Sequence, residues 1–592
     1  MQNRGHWRTL TQLSVLAVLA GIPLAASWPR PPGGDPASAR VLHQLADDYW
    51  KQRTRDPGLA DVSLDRARQG AEEARSLLDR LAAVRSADLT HEDWLTWSIL
   101  KNQLEQTVNE LETYWFQFSV TAQSNVFLRT HRVFERHPFN LPADLATYRE
   151  RLGEYSDFVA RMEAKLAGQA ERGIRLPGEA IGPIVETLTQ YIRDPAESPF
   201  SVADARLARI ESAAAESFTQ EVARTIVSTV NPALTRLVRF LDGPLRREAP
   251  KTVGLGQYPG GKEAYARLVR RETTLEVTPE EVHRIGLREV ATLEQKMAEV
   301  RARLGFTGSK AEFHRVLRTD ARFYPNTPAE IGDRLMKAID RITPTLGGFF
   351  LRFPKAPYAI KRLNPALEGS MTYGHYTVPT ALDPSGYYFY NGSNLDQRSL
   401  LNAASLAYHE IMPGHHFQMA QQLEMTALPE FRRRTFPAGF VEGWAEYVSS
   451  AIAAQAGMYS DPYDLYGRLA WDALFSVRLV VDTGLNFYGW PRAKAMAYMQ
   501  EHTLESDTQI DSETLRYAVG SPAQALAYKL GSLKMFELRR KAEQSLGRRF
   551  DLRRFHDALV GSGAMPLPVL EQHVDWFIAQ EKQGSADSKR LP

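Results

Sequence analysis

Apolar residues recur every three or four positions along much of this chain, and that spacing restricts it to a mainly helical fold. Leu100, Leu104, Val108, Leu111 and Trp115 form one stripe. Leu152, Tyr155, Val159, Met162 and Leu166 form a second, and Val290, Leu293, Met297, Val300 and Leu304 a third. A 3.6-residue period gathers each set on one helix face, which must then be covered. Start signals reinforce the pattern. Thr90-His-Glu-Asp precedes the first stripe, and Thr278-Pro-Glu-Glu the third. In the latter, Thr278 is placed as N-cap, Pro279 at the first helical position and Glu281 as the partner that closes a capping box. Turn-rich breaks are expected at 136–142, 173–183 and 254–262. Residues 353–395 differ from the rest, being rich in Pro, Gly, Tyr and Thr. Within them, Tyr373-Gly-His-Tyr-Thr-Val and Gly386-Tyr-Tyr-Phe-Tyr-Asn read as short strands. The expectation is a helical body with one small antiparallel sheet just before the next helix.

Composition narrows the partners. Among 592 residues, 43% are hydrophobic and 24% charged, which suits a globular chain rather than a multi-span membrane protein. Basic residues number 72 and acidic residues 70, so no charge excess calls for nucleic acid. The chain has no cysteine. That excludes disulfides, thiolate zinc sites, iron–sulfur clusters, thiol nucleophiles and a lipid-modified N-terminal Cys.

Residues 1–27 carry Arg4 and Arg8, no acid, an apolar run from Leu13 to Leu24, and Ala25-Ala26-Ser27. This is the three-part pattern of a secretory signal with cleavage before Trp28. The two arginines are separated, against a twin-Arg route. The apolar run is short for a span, so no stable membrane insertion is expected after cleavage; an uncleaved signal would instead leave an N-terminal anchor. The expected location is the periplasm. Residues 28–40, rich in Pro and Gly, read as a tether. Residues 41–255 are expected to form an N-terminal helical region and 256–585 a catalytic region, together one continuous helical unit, with 586–592 as a tail.

The chemistry is concentrated in Leu406-Ala-Tyr-His-Glu-Ile-Met-Pro-Gly-His-His-Phe-Gln-Met-Ala420. In the His-Glu-x-x-His zinc pattern, histidines at i and i+4 reach one ion and the Glu serves as general base. Here His409-Glu410 is intact, but the i+4 position is Pro413 and the next histidines are His415 and His416. On a straight helix, i+6 lies on roughly the opposite face and i+7 about 10 Å along the axis. Pro413-Gly414 can supply the necessary distortion, because Pro removes a donor and Gly permits unusual dihedrals. A bulge there would return His415 to the i+4 place, leaving His416 as a supporting or alternative ligand. With no Cys, the third ligand of a catalytic zinc must be His, Glu or Asp. Phe440-Val-Glu-Gly-Trp-Ala-Glu-Tyr447 offers Glu442 for that role. Glu446, one turn on, is placed either behind a ligand His or on a solvated face.

Four stretches carry a resemblance. Tyr408-His-Glu-Ile-Met-Pro-Gly-His-His-Phe-Gln418, Val441-Glu-Gly-Trp-Ala445, Arg478-Leu-Val-Val-Asp-Thr-Gly484 and Pro522-Ala-Gln-Ala-Leu-Ala-Tyr-Lys529 resemble the bacterial domain-of-unknown-function family 885. Gly260-Gly-Lys-Glu-Ala-Tyr265 fits it upstream. That family is similar to gluzincin metallopeptidases, which hold zinc with two His and one Glu. Their dipeptidyl peptidase III branch carries one extra residue before the second His. The resemblance implies a helical body around a deep cleft, of the thimet-oligopeptidase type. It further implies one Zn2+ per chain and hydrolysis of a peptide or small amide by a metal-activated water, with Glu410 as general base. Gluzincin chemistry also needs an oxyanion donor, and Tyr528 is the candidate. The family usually has His where this chain has Asn486, a donor that carries no proton at neutral pH. Arg478 and Asp482 are expected to pair at i,i+4, or Arg478 to hold a substrate carboxylate. His375 is expected to pack between strand and turn or to line the cleft, and Lys529 is a further candidate for substrate contact. Two other outcomes stay open: a zinc hydrolase of a modified or cyclic peptide, and a catalytically silent scaffold that grips peptides.

Overall fold

Local capping signals decide where several helices begin. The Thr278 hydroxyl accepts the Glu281 N–H at 3.2 Å while the Glu281 carboxylate accepts the Thr278 N–H at 2.9 Å. The Thr90 hydroxyl caps the helix His91–Thr113 by accepting the Asp93 N–H at 3.1 Å, and it donates to the Asp93 carboxylate at 2.7 Å. The computed structural model describes residues 34–55, 58–122, 125–365, 368 and 373–587. The expected signal segment 1–27 therefore lies outside the described residues, as do 28–33 of the tether and 588–592 of the tail.

Three boundaries differ from the sequence expectation. The tether ends early, because Asp35 accepts the N–H groups of Ala37 and Ser38 and starts a helix, Pro36–Thr54, with Pro36 at its first position. Prolines that suggest a linker also suit a first helical turn. The break expected at 173–183 is shorter, since helix Gly178–Thr189 begins within it and keeps Pro183 at its sixth position at the cost of one backbone hydrogen bond. At the other end, residues 586 and 587 of the expected tail belong to helix Leu567–Asp587.

The elements that build the site are α1 (Gly261–Thr273), α2 (Pro279–Arg303), α3 (Ala403–Glu410), α4 (His415–Glu424), α5 (Ala438–Tyr447), α6 (Pro462–Asn486), α7 (Asp507–Leu515) and α8 (Leu526–Leu546). One apolar core joins residues from Leu42 to Ile578, and a smaller cluster lies between α2, the helix Lys310–Thr319 and α6. Helix α6 is covered on every side from Ala473 to Asn486, so its polar residues must find partners inside the protein. Helices α5 and α8 touch backbone to backbone. A Cβ on Gly443 would stand 2.5 Å from the Gly531 carbonyl carbon, and a Cβ on Gly531 would stand 2.1 Å from the Gly439 oxygen. Only glycine permits that approach, and it brings α8 against the metal-site helices.

The protein is mainly helical, with one small sheet of β1 (Tyr358–Arg362), β2 (Gly374–Thr377) and β3 (Gly386–Tyr390) in the order β1-β3-β2. The sheet is mixed rather than antiparallel: β2 runs antiparallel to β3, but β1 runs parallel to it, with Tyr358 opposite Gly386. The strand Tyr358-Ala-Ile-Lys-Arg carries no pattern strong enough to announce itself, and its pairing is set by the tertiary fold. Among the described residues, no helix is long and apolar enough to cross a membrane.

Candidate metal centre

The chain between His409 and His415 is not a bulged helix. Helix α3 ends at Glu410, Ile411–Gly414 make a separate link, and α4 starts at His415. Gly414 is required by proximity, since a Cβ there would lie 1.8 Å from the His409 carbonyl oxygen. The link is clamped from α5 by the Trp444 indole, which donates to the Pro413 carbonyl at 3.0 Å. The result matches the purpose of the expected bulge by another route: His415 turns back toward His409, with ring centres 4.6 Å apart.

Glu442 on α5 completes a triad with His409 and His415. Its Oε2 lies 3.4 Å from His409 Nε2 and 3.3 Å from His415 Nε2, yet it makes no hydrogen bond and is buried. Three lone-pair atoms thus converge without satisfying one another. A divalent ion with tetrahedral arms of about 2.05 Å separates its ligands by about 3.3 Å, so these residues fit one zinc-class ion. His409 is held behind by Glu446, whose Oε1 accepts from His409 Nδ1 at 2.7 Å. That contact holds a proton on Nδ1 and turns Nε2 toward Glu442. Glu446 is buried rather than on a solvated face, and it also accepts from Trp471 Nε1 at 3.0 Å and Arg468 Nη2 at 2.9 Å. Burial opposes its charge, but Arg468 and His409 outweigh burial and lower its pKa.

The members of the triad shift one another's protonation. Burial alone would lower the His409 pKa, but Glu442 and Glu446 beside it raise it to about 10. The reverse holds for Glu442, where burial is outweighed by His415 and His409 and the carboxyl is held well below its usual range. Glu410 has the opposite fate: burial raises its pKa, with Glu442 and Glu446 adding to the rise against the two histidines. A carboxylate displaced upward beside a ligand set is suited to taking a proton.

His416 points away from the triad. Its Nδ1 meets the Tyr376 hydroxyl at 2.9 Å and its Nε2 the Ala356 carbonyl at 3.0 Å, so it ties α4 to the sheet. Gly386 makes room for it, because a Cβ there would stand 2.5 Å from His416 Nδ1. Tyr528 on α8 is partly exposed, and its ring stacks on His409 at 5.9 Å and on Phe475 at 4.9 Å. Burial raises its pKa, with Glu442 and Glu410 adding to the rise against Arg478 and Arg516.

The remaining candidates lie elsewhere. Arg478 does not pair with Asp482. Its Nη2 and Nε donate to Glu513 Oε2 on α7 at 2.9 and 3.2 Å, and Nε also donates to the Tyr517 hydroxyl. Spacing of four residues on a helix favours pairing only where no better partner faces the side chain, and α7 supplies one. Asp482 instead accepts from the Tyr265 hydroxyl of α1 at 2.7 Å and from the Ala523 N–H. Asn486 spends its amide on structure: Nδ2 donates to Asp482 and to the Tyr517 carbonyl, and Oδ1 accepts the Leu255 N–H. It has no donor left for a transition state. Lys529 bridges Asp472 at 2.7 Å and Glu289 at 3.0 Å, tying α8 to α6 and α2. His375 stacks on Phe389, and burial lowers its pKa to about 4. The sequence reading missed Arg468 and Trp471 behind Glu446, Tyr376 beside His416, and the group Glu513, Arg516 and Tyr517. A buried charge on the apolar helix α6 was the signal available for Arg468.

Fold and site together define a mainly helical protein with a two-His, one-Glu triad. The chain belongs to the family described as "Bacterial protein of unknown function (DUF885)", whose pattern it matches over residues 46–574. It is similar to the crystal structure of a candidate lipoprotein from Colwellia psychrerythraea, with 25% identity, a TM-score of 0.84, and coverage of 92% of this chain and 99% of that one. A candidate lipoprotein of unknown function from Shewanella oneidensis shares the fold at 15% identity, with a TM-score of 0.68 over 90% of this chain and 99% of that one. No curated protein matches the chain.

Proposed function

We propose that this protein is an exported, zinc-dependent hydrolase of the gluzincin type that cleaves peptide bonds. The observation that carries the proposal is the convergence of His409 Nε2, His415 Nε2 and the unbonded Glu442 Oε2, with Glu410 adjoining them in the chain. His409, His415 and Glu442 would hold a zinc-class ion, which would supply polarisation of a carbonyl and acidification of water. Glu410 takes the proton of the attacking water and delivers it to the leaving amine. Tyr528 donates a hydrogen bond from its hydroxyl to the oxygen on which charge develops. Glu446 keeps His409 in the tautomer that offers Nε2. Export is supported by the pattern of residues 1–27 and by the description of the Colwellia protein as a candidate lipoprotein. With no cysteine in the chain, any anchor would be the uncleaved signal rather than an acylated thiol.

Digestion of a mixed peptide library by the purified protein, with and without chelator, tests the proposal. Metal analysis is expected to find about one zinc-class ion per chain. Glu410→Gln is expected to keep the metal and lose about 10²–10⁴-fold in rate. Tyr528→Phe is expected to lose about 10²–10³-fold, as for one oxyanion donor. Full hydrolysis by Glu410→Gln, or a chain without metal affinity, would overturn the mechanism. Equal peptide binding by wild type and variant without any cleavage would make the protein a scaffold.

A further inference from the structure

The metal centre has a charged neighbour that the mechanism does not use. Arg516 opens a π-helical turn, Arg516–Gly520, that follows α7 directly. Such turns depart from regular helical bonding and recur at functional sites. The turn leads into residues 521–525, where Ala523 has φ of +70°, a left-handed conformation that strains a non-glycine residue. Asp482 holds Ala523 there by accepting its N–H at 3.1 Å. Gln524, next in line, accepts from Arg516 Nη1 at 2.9 Å. The strained loop therefore fixes the guanidinium of Arg516.

That guanidinium is under-satisfied. Of its five N–H donors, one goes to Gln524 and one, at 3.3 Å, to Glu513. Nε is buried and has no partner, yet the side chain keeps 19% of its surface open. Glu513 cannot balance it, because the same carboxylate is engaged by Arg478 and by the Tyr517 hydroxyl. Two guanidiniums share one carboxylate. The other acids nearby are committed: Asp482 to Tyr265, Asn486 and Ala523, and Glu505 to the Tyr373 hydroxyl at 2.6 Å. The guanidinium has more donors than partners and part of its surface is open, so an entering carboxylate gains hydrogen bonds there, and guanidinium geometry suits a carboxylate.

Tyr528 connects this pair to the metal centre. It feels Glu442 and Glu410 as well as Arg478 and Arg516, and the Arg478 guanidinium lies 4.9 Å from its ring. The path runs 5.9 Å from His409 to Tyr528 and 4.9 Å from Tyr528 to the Arg478 guanidinium, then through Glu513 Oε2, 2.9 Å from Arg478 and 3.3 Å from Arg516; together these span at most about five residues of extended peptide. We propose that Arg516, backed by Arg478, anchors the free C-terminal carboxylate of a short peptide, so that the enzyme cuts within about five residues of that terminus. The inference rests on the peptidase reading for the cleavage, but the carboxylate site stands on its own geometry.

Each peptide of a short library is prepared as the free acid and as the C-terminal amide. Wild-type enzyme is expected to favour the acid by about 10–100-fold in kcat/KM, the range of one charged hydrogen-bond pair. Arg516→Gln should bring the acid-to-amide ratio close to one, and Arg516→Lys should keep part of it. The wild-type comparison needs no variant to fold. The same peptide pairs are titrated calorimetrically into Glu410→Gln, which reads binding without turnover. If wild type cleaves nothing but Glu410→Gln prefers acids over amides, and adding Arg516→Gln removes that preference, the peptidase reading falls and the carboxylate site stands. Equal cleavage and equal binding of acids and amides would overturn the site. So would a ratio unchanged in a folded Arg516→Gln variant.

Discussion

The N-terminal helices and the helices around the candidate metal centre are buried to similar depth but stabilised by different chemistry. In the segment 142–171 eight of the ten covered residues are apolar, Leu145, Tyr148, Leu152, Tyr155, Phe158, Val159, Met162 and Leu166, the exceptions being Lys165 and Gln169. Around α6 the covered residues include Glu446, Arg468, Arg478, Asp482, Glu513 and Lys529. The first region draws its stability from area removed from water, which is not directional. The second tolerates buried charge only because each group has a partner in the right place. The contrast teaches where precision is needed: a packed stripe survives a change of shape better than a buried ion pair survives the loss of one member.

The largest expected effect breaks that second region. Glu513→Ala would leave Arg478 buried without its carboxylate, and removing one partner of a buried pair costs about 3–5 kcal/mol. Urea unfolding measures it. Replacing both members with apolar residues, Arg478→Met with Glu513→Leu, should recover most of the loss. A cost below about 1 kcal/mol for the single variant would mean that pairing does not hold this region together.

The next effect separates the triad from its support. Glu446→Gln keeps size but weakens the acceptor that orients His409, and such a change typically costs about 10–100-fold in metal affinity. His416→Gln, which alters a link to the sheet, should leave metal affinity within a few-fold. Competition with a chromophoric chelator measures both. If His416→Gln proves the more damaging, the triad is assigned to the wrong histidine.

The smallest effect is in pH dependence, where the two regions should respond with opposite sign. Burial lowers the His131 pKa from its ordinary 6.5 to about 3. Its folded form binds fewer protons than the unfolded chain, so its share of stability is present above pH 6.5 and is lost as pH falls toward 3. Burial raises Asp482 from 3.8 to about 7, against the hydrogen bonds it accepts from Tyr265, Ala523 and Asn486. Its folded form binds more protons, so its share is present below about pH 4 and is lost as pH rises through 7. Urea midpoints across pH 3–8 should therefore flatten on the acid side in His131→Gln, and between about pH 4 and 7 in Asp482→Asn. Glu505, raised to about 7 by burial, keeps part of the second slope. An Asp482→Asn variant with the wild-type slope over that range would show that the carboxyl is not protonated in the fold.

Much of this was legible in the chain. The helix starts at His91 and Pro279 follow from Thr90 and Thr278, because a cap is satisfied by atoms within four residues. The grouping of His409, His415 and Glu442 was also within reach, since an ion needs few residue types and Pro413-Gly414 announces the break between the two histidines. What the chain did not disclose is who faces whom across the interior. Arg478 has Asp482 one turn away and still pairs with Glu513, on a helix 35 residues on. Strand β1 joins β3 in parallel although β2 is nearer in sequence. His416 sits next to a ligand and bonds to the sheet instead. Arg516 gives no local hint of an unpaired Nε. Local signals act through bonds that a few neighbouring residues complete alone, so the sequence determines them. Partners across the core are chosen by close approach of whole helices, at contacts such as Gly443 on Gly531, and only the assembled structure decides those.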